Sequence, residues 1–228
     1  YTLASYNEDA LHGSRVIVNY SGSTPDAYNV DTPFTIVEKV VTAVDENGEE
    51  YIKLTGWSDG QLRTYKCEAD KNVFVRPSLL EPDKNVPLRK GDIINIANTL
   101  KGNVTSIRTV FCRTEKSDNG FGYTYTDPVK HVVNWEYNLP AYGAEVGSYL
   151  TQADGRVVDK NDRYMLLESP DGSKTMLCYI GEGFNLATVS IGTETITTGG
   201  SRDSIHVGDY VVLRQHSGQT REIVRYIY

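Results

Sequence analysis

Val207-Gly208-Asp209-Tyr210-Val211-Val212-Leu213 is followed by Gly218 and then by Ile223-Val224-Arg225-Tyr226-Ile227. The same sentence occurs earlier in the chain. Lys90-Gly91-Asp92-Ile93-Ile94-Asn95-Ile96 is followed by Gly102 and by Ile107-Arg108-Thr109-Val110-Phe111. Each copy reads as Gly-Asp, apolar strand, Gly turn, apolar strand. A repeated β unit sets the architecture before any single residue is interpreted.

Working outward from each copy extends the match. In the first unit, Thr35 to Val44 reads as a strand, and Glu46-Asn47-Gly48 is the signal for a tight hairpin turn with both central residues at positive φ. Tyr51-Ile52-Lys53-Leu54-Thr55 returns, Asp59-Gly60 turns, and Leu62 to Glu68 follows. Pro77, Pro82 and Pro87 exclude a central strand from the next stretch. The hairpin Asp92–Asn98 and Val104–Cys112 closes a five-stranded meander with one long excursion. In the second unit, Ser148 to Gln152 and Arg156 to Val158 flank an Asp154-Gly155 turn. Tyr164-Met165-Leu166-Leu167 matches Tyr51-Ile52-Lys53-Leu54, and Asp171-Gly172 matches Asp59-Gly60. Lys174 to Ile180 carries Cys178. Phe184 to Thr198 is the excursion, with strand-like Ala187-Thr188-Val189 and Thr195-Ile196-Thr197.

The expected fold is all-β. It comprises two tandem small barrel-like modules, OB- or SH3-like, preceded by a short helix and a strand. Residues 1–33 hold that helix (Ser5 to Gly13, from a capping-box pattern) and the strand Arg15 to Tyr20. Residues 34–114 form the first module and 146–228 the second. Residues 115–145 form an aromatic-rich connector with a strand at Lys130 to Trp135. His12-Gly13-Ser14-Arg15-Val16-Ile17-Val18 echoes the later motif, as the tail of an earlier unit or a strand completing the first. The chain starts at Tyr1, without Met, and reads as a processed or excised piece of a longer array.

Composition narrows the function classes. With 30 acidic and 23 basic residues the formal charge is -7. That balance argues against nucleic acid as a partner and against an anionic membrane surface. No apolar run approaches transmembrane length, so membrane insertion is not expected. Tyrosine supplies 16 of the aromatics, against 2 Trp and 5 Phe. Strands favour Tyr because its ring packs on the pleated surface while its hydroxyl stays wet.

Candidate chemistry is sparse. His12, His131, His206 and His216 are scattered, whereas zinc needs convergent ligands. Asp45-Glu46-Asn47-Gly48-Glu49-Glu50, and Asp154 with Asp159 and Asp162, gather oxygens. Neither has the alternate spacing of a calcium loop, and tight turns use the same residues. No cofactor or metal is expected. There is no Gly-x-Ser-x-Gly elbow, no phosphate-cradling loop before a helix, and no Cys in a protease context. Cys67 and Cys178 occupy equivalent places, as buried packing residues. Cys67 and Cys112 are the alternative, a bridge within the first unit. Gly91-Asp92 and Gly208-Asp209 are read as turn chemistry rather than a duplicated ligand contact. The candidate ligand-binding residues are Tyr123, Tyr125, Trp135, Tyr137 and Tyr142, with Phe121 beside them. Such rings line a carbohydrate or partner site, or fill the seam between two small modules.

The run Val207-Gly208-Asp209-Tyr210-Val211-Val212-Leu213-Arg214 with Thr220-Arg221-Glu222-Ile223-Val224-Arg225-Tyr226 resembles β-rich repeats of cell-surface proteins from clostridia and related Gram-positive bacteria. Asp9-Ala10-Leu11-His12-Gly13-Ser14-Arg15-Val16-Ile17-Val18-Asn19-Tyr20 is similar to them as well. Such repeats often sit beside S-layer homology domains, of which no motif is present in this sequence. The resemblance implies an extracellular or cell-wall location and no catalytic residues. The expected function is a non-catalytic structural or interaction module, whose partners are other modules of its parent chain or a surface protein or glycan. A carbohydrate-binding module and a phage or filament assembly subunit are the alternatives.

Overall fold

The computed structural model describes residues 15–19, 26–31, 33–68, 75–77, 85–98, 104–113, 123–124, 150–169, 172–173, 175–216 and 219–227. In chain order the strands are β1 (Arg15–Asn19), β2 (Asp26–Asp31), β3 (Thr35–Val44), β4 (Glu50–Ser58), β5 (Gln61–Glu68), β6 (Val75–Pro77), β7 (Asn85–Pro87), β8 (Ile93–Asn98) and β9 (Val104–Arg113). They continue with β10 (Tyr123–Thr124), β11 (Leu150–Lys160), β12 (Tyr164–Glu168), β13 (Thr175–Tyr179), β14 (Asn185–Ser190), β15 (Thr195–Thr198), β16 (Tyr210–His216) and β17 (Gln219–Ile227). Among the described residues one 3-10 turn, Arg202–Ser204, interrupts them. The protein is all-β, and it divides into compact units Tyr1–Val110 and Phe111–Tyr228.

The repeat read from the sequence is a repeat of topology. In one sheet the strands lie in the order β9-β8-β3-β4-β5, and in the other β17-β16-β11-β12-β13. The corner that opens β8 and β16 is the same in both. Gly91 has φ +90 and Gly208 φ +99, a region open to glycine at little cost. The Gly91 amide donates to the Val37 carbonyl at 2.8 Å, and the Val37 amide to the Asp92 carbonyl at 2.8 Å. The Gly208 amide likewise donates to Val157 at 2.7 Å, and the Val157 amide to Asp209 at 2.8 Å. Each Asp side chain turns back on its own corner. Asp92 Oδ2 accepts from the Arg89 amide and Asp209 Oδ2 from the His206 amide, both at 2.7 Å. The facing strand carries a bulge at the matching place, between Val37 and Lys39 and between Val157 and Asp159. Turn chemistry therefore accounts for both Gly-Asp pairs.

Alternation builds the cores. On β12 and β13 the inward residues are Met165, Leu167, Met176 and Cys178, while Leu177 faces outward. They pack with Val157, Leu213 and Ile223. In the first unit Val37, Leu54, Cys67, Ile94 and Ile96 form the equivalent cluster. Burying each such side chain contributes about 1.5–3 kcal/mol.

Several expectations are corrected. Neither sheet closes into a barrel among the described residues. The first runs open from β10 to β5 and the second from β13 to β15. The reason is occupancy of the edge: β10 pairs with β9, and β14 pairs with β17, so those edges are not left to meet β5 or β13. The units are not simple meanders either, because β8 and β16 return beside β3 and β11. The first excursion is a ribbon, β6 with β7, in which Pro77 and Pro87 lie outside the main sheet. The second joins its sheet, with β14 parallel to β17. β1 pairs with β2, a strand the sequence did not announce, and not with the first sheet. The proposed helix at Ser5 to Gly13 and the strand at Lys130 to Trp135 lie outside the described residues.

Two turns also differ from expectation. The type I′ turn, with both central residues at positive φ, is at Asp59 (φ +51) and Gly60 (φ +74). At Asn47-Gly48 only Gly48 is left-handed (φ +83). There Asp45 organises the loop: its Oδ1 accepts from the Asn47 amide at 2.9 Å and the Glu49 amide at 3.0 Å. Lys66 Nζ lies 3.4 Å from Asp45 Oδ2 and 4.5 Å from the centre of the Tyr51 ring. Asp154-Gly155 is not a turn. It lies within β11, and Asp154 is fully buried. A Cβ on Gly155 would stand 2.4 Å from the Glu168 carbonyl oxygen, so glycine is there for strand approach.

Gly155→Ala is expected to destabilise the protein by about 1–3 kcal/mol, the usual cost of overpacking, read as a lower urea midpoint at unchanged slope. Gly48→Ala, which meets nothing within 4 Å, carries only its backbone strain. The amide bonds to Asp45, from Glu49 first, lower its carboxyl pKa below the ordinary value, outweighing desolvation. A depressed folded pKa gives stability that is present above the unfolded value and lost as pH falls through the folded one. The urea midpoints of wild type and Asp45→Ala are therefore expected to differ at neutral pH and to converge in acid.

Candidate functional site

The residues singled out from sequence separate in the structure. Tyr123 is in β10, paired with Arg113, and only its backbone is described. Phe121, Tyr125, Trp135, Tyr137 and Tyr142 lie outside the described residues, as do His12 and His131. The Cys112 side chain, which the proposed bridge requires, does as well. The oxygens considered for calcium do not converge. Asp154 is buried and accepts from the Tyr210 hydroxyl, Asp159 caps the Lys160 amide, and Asp162 is exposed. Among the described residues no three His, Cys, Asp or Glu side chains gather as metal ligands would. His206 belongs to the corner, its Nδ1 3.0 Å from Arg225 Nη2. Arg225 Nε in turn pairs with Asp209 Oδ2 at 2.6 Å.

Cys67 and Cys178 are both buried strand residues. Burial, with the Asp154 charge adding to it, pushes the Cys178 thiol up to about 12. A thiol held neutral in an apolar setting is a packing residue rather than a nucleophile.

The structure supplies a site that the sequence reading did not contain. A cleft of about 720 Å³ opens in the second unit. Its first wall is the turn from β11 to β12. Asn161 Oδ1 accepts from the Arg163 amide at 2.8 Å and the Tyr164 amide at 2.9 Å, which presents Asp162 and Arg163 outward. The opposite wall follows β13. The Ile180 amide donates to the Arg163 carbonyl at 2.8 Å, and the chain then turns through Gly181 (φ +47) to exposed Glu182. A Cβ on Gly181 would sit 3.0 Å from Tyr179 Cε1, so glycine leaves that ring uncrowded. Tyr164 meets the Tyr179 ring edge-on, with centroids 5.6 Å apart.

The remaining walls come from distant segments. Ser201 caps the 3-10 turn, which brings Arg202 over the Asp162 carbonyl, to which its guanidinium donates. Lys160 Nζ donates to the Arg202 carbonyl at 3.0 Å. Gln219 and Thr220 open β17 at the floor. The buried Thr220 hydroxyl donates to the Tyr179 carbonyl, which also accepts from Gln215 Nε2 at 3.2 Å. Gln215 and Thr220 are about 1% and 2% exposed, so this floor is fixed from within the core. Polar groups of both signs thus stand on an ordered frame. The sequence reading did not single out Asn161 or Gly181, since the convergence of their turns with Arg202 and Thr220 requires the folded sheet.

No protein-family model matches the chain. No curated protein matches it. Among solved structures, "Crystal structure of the tetrameric p202 HIN2" is similar at 10% identity. That match covers 92% of this chain and 94% of the other, with a TM-score of 0.22. The likeness transfers no activity to this chain. One expectation is corrected: the exclusion of nucleic acid as a partner, drawn from the net charge, is withdrawn. The physical fault lay in using a whole-chain charge. A net of -7 is a sum over the surface, whereas a partner meets local groups such as Arg163 and Arg202.

Cys178 is expected to resist a thiol reagent such as iodoacetamide at pH 8 in the native protein and to react on addition of urea, followed by peptide mass spectrometry. Rapid native labelling would contradict its assignment to the core.

Proposed function

We propose that the chain is a duplicated, non-catalytic interaction module of an extracytoplasmic bacterial surface protein. The observation that carries this reading is the Gly-Asp corner, built twice on one strand order. Its sequence resembles repeats of Gram-positive surface proteins. Tandem β units of this kind supply a stable frame and vary at their excursions, where contacts are made. Here the excursions are the parts that differ: a separate ribbon in the first unit and two added strands in the second. A carbohydrate-binding module is the second reading, favoured by the polar cleft beside Tyr179.

Labelling intact cells of the source organism with a membrane-impermeant amine reagent tests the proposal. Lysine-containing peptides of this chain are expected to carry label before lysis. Labelling only after lysis would place the protein inside the cell and defeat the reading.

A further inference from the structure

We infer that the cleft of the second unit binds a neutral polyhydroxylated ligand, a saccharide chain, between the Arg163 guanidinium, the Asp162 and Glu182 carboxylates and the Tyr179 ring. This rests on the carbohydrate-binding reading given above, which it deepens, and does not depend on where the protein resides.

The first ground is what the cleft leaves unused. Arg163, Asp162 and Glu182 are exposed, and their charged groups engage no partner among the described residues. The backbone around them is tied down by the Asn161 turn and the Ile180 bond. Arg202 by contrast is already committed to the Asp162 carbonyl. The second ground is charge. Arg163 and Arg202 face Asp162 and Glu182, so the lining sums to zero. A polyanion meets two carboxylates there, and a polycation meets two guanidinium groups. A vicinal diol meets what it needs from both. A carboxylate accepts from one hydroxyl, and a guanidinium donates to the oxygen of the next.

The third ground is the ring. Tyr179 offers an apolar face with a polar tip, suited to the C–H face of a sugar. Gly181 keeps side-chain bulk away from it, and Tyr164 supports it at its edge. The volume, about 720 Å³, falls within the roughly 300–1,000 Å³ of small-ligand sites. The fourth ground is rigidity. The buried Gln215 and Thr220 hold the Tyr179 carbonyl, so the strand end that carries the ring is fixed before a ligand arrives.

The test uses the whole chain, fluorescently labelled, on an array of neutral glycans, with isothermal titration of the retained ones. Oligothymidine and heparin serve as polyanion controls. Arg163→Ala and Glu182→Gln alter exposed groups and are expected to leave the unfolding temperature near that of wild type. Each is expected to weaken glycan binding by roughly tenfold or more, the scale of a lost hydrogen bond to a charged group. Retention of no neutral glycan overturns the inference, and so does glycan binding that neither substitution weakens. Binding of oligothymidine or heparin alone, lost in Arg163→Ala and strengthened in Glu182→Gln, overturns it in favour of a polyanion site.

Discussion

A carboxylate folded back onto the amide three residues before it, beside a left-handed glycine, fixes this architecture twice. At Asp92 and at Asp209 the corner satisfies its own N–H groups and presents two more backbone groups to the strand alongside. That strand answers with a bulge at Val37 or Val157, which lets the corner bond to it without breaking the ladder. The consequence is positional. The chain leaves β5 or β13, makes an excursion, and must return beside β3 or β11 at one register. Everything inward of the corner, from Ile94 packing on Leu54 to Leu213 packing on Met165, depends on that landing point.

The two copies are not equally furnished. The second buries an Arg214–Glu222 ion pair and an Asp154–Tyr210 hydrogen bond within its sheet. Such groups are costly to strand without partners, so they favour one arrangement over its near alternatives. The cleft itself draws on the places where the second excursion departs, at Gly181 and Glu182, and rejoins, at Arg202. The repeat thus supplies the frame, and the joints of its most divergent segment supply charged groups that line the cleft.

Much of the frame was legible in the sequence because its signals are local. Gly-Asp before an apolar run, Asp59-Gly60 between alternating strands, and the matched Tyr51 and Tyr164 strands each state their role within a few residues. Misreadings arose where tertiary packing overrode the local signal. Asp154-Gly155 has turn composition, yet the Glu168 carbonyl pressing on Gly155 and the Tyr210 hydroxyl on Asp154 make it strand core. Sheet closure was expected from the repeated unit and its density of turns, but it depends on which edges the excursions and β10 occupy. The cleft was invisible for a related reason. Asp162, Glu182, Arg202 and Thr220 are ordinary surface or turn residues in sequence, and only the pairing of β12 with β13 and the return of β17 bring them together.

The parallel ladder between β14 and β17 has a consequence in time. Asn185 pairs with Glu222, Ala187 with Val224 and Val189 with Tyr226, across a separation of 37 positions (222 minus 185). A hairpin partner is available as soon as its turn forms, but β14 has β15 on one side only until β17 exists. Loop closure over that span must precede the contacts that reward it, which slows folding. During synthesis the β14–β15 hairpin therefore waits with one edge open while β16 and β17 emerge, and a chain halted in that interval presents an unpaired strand to its neighbours.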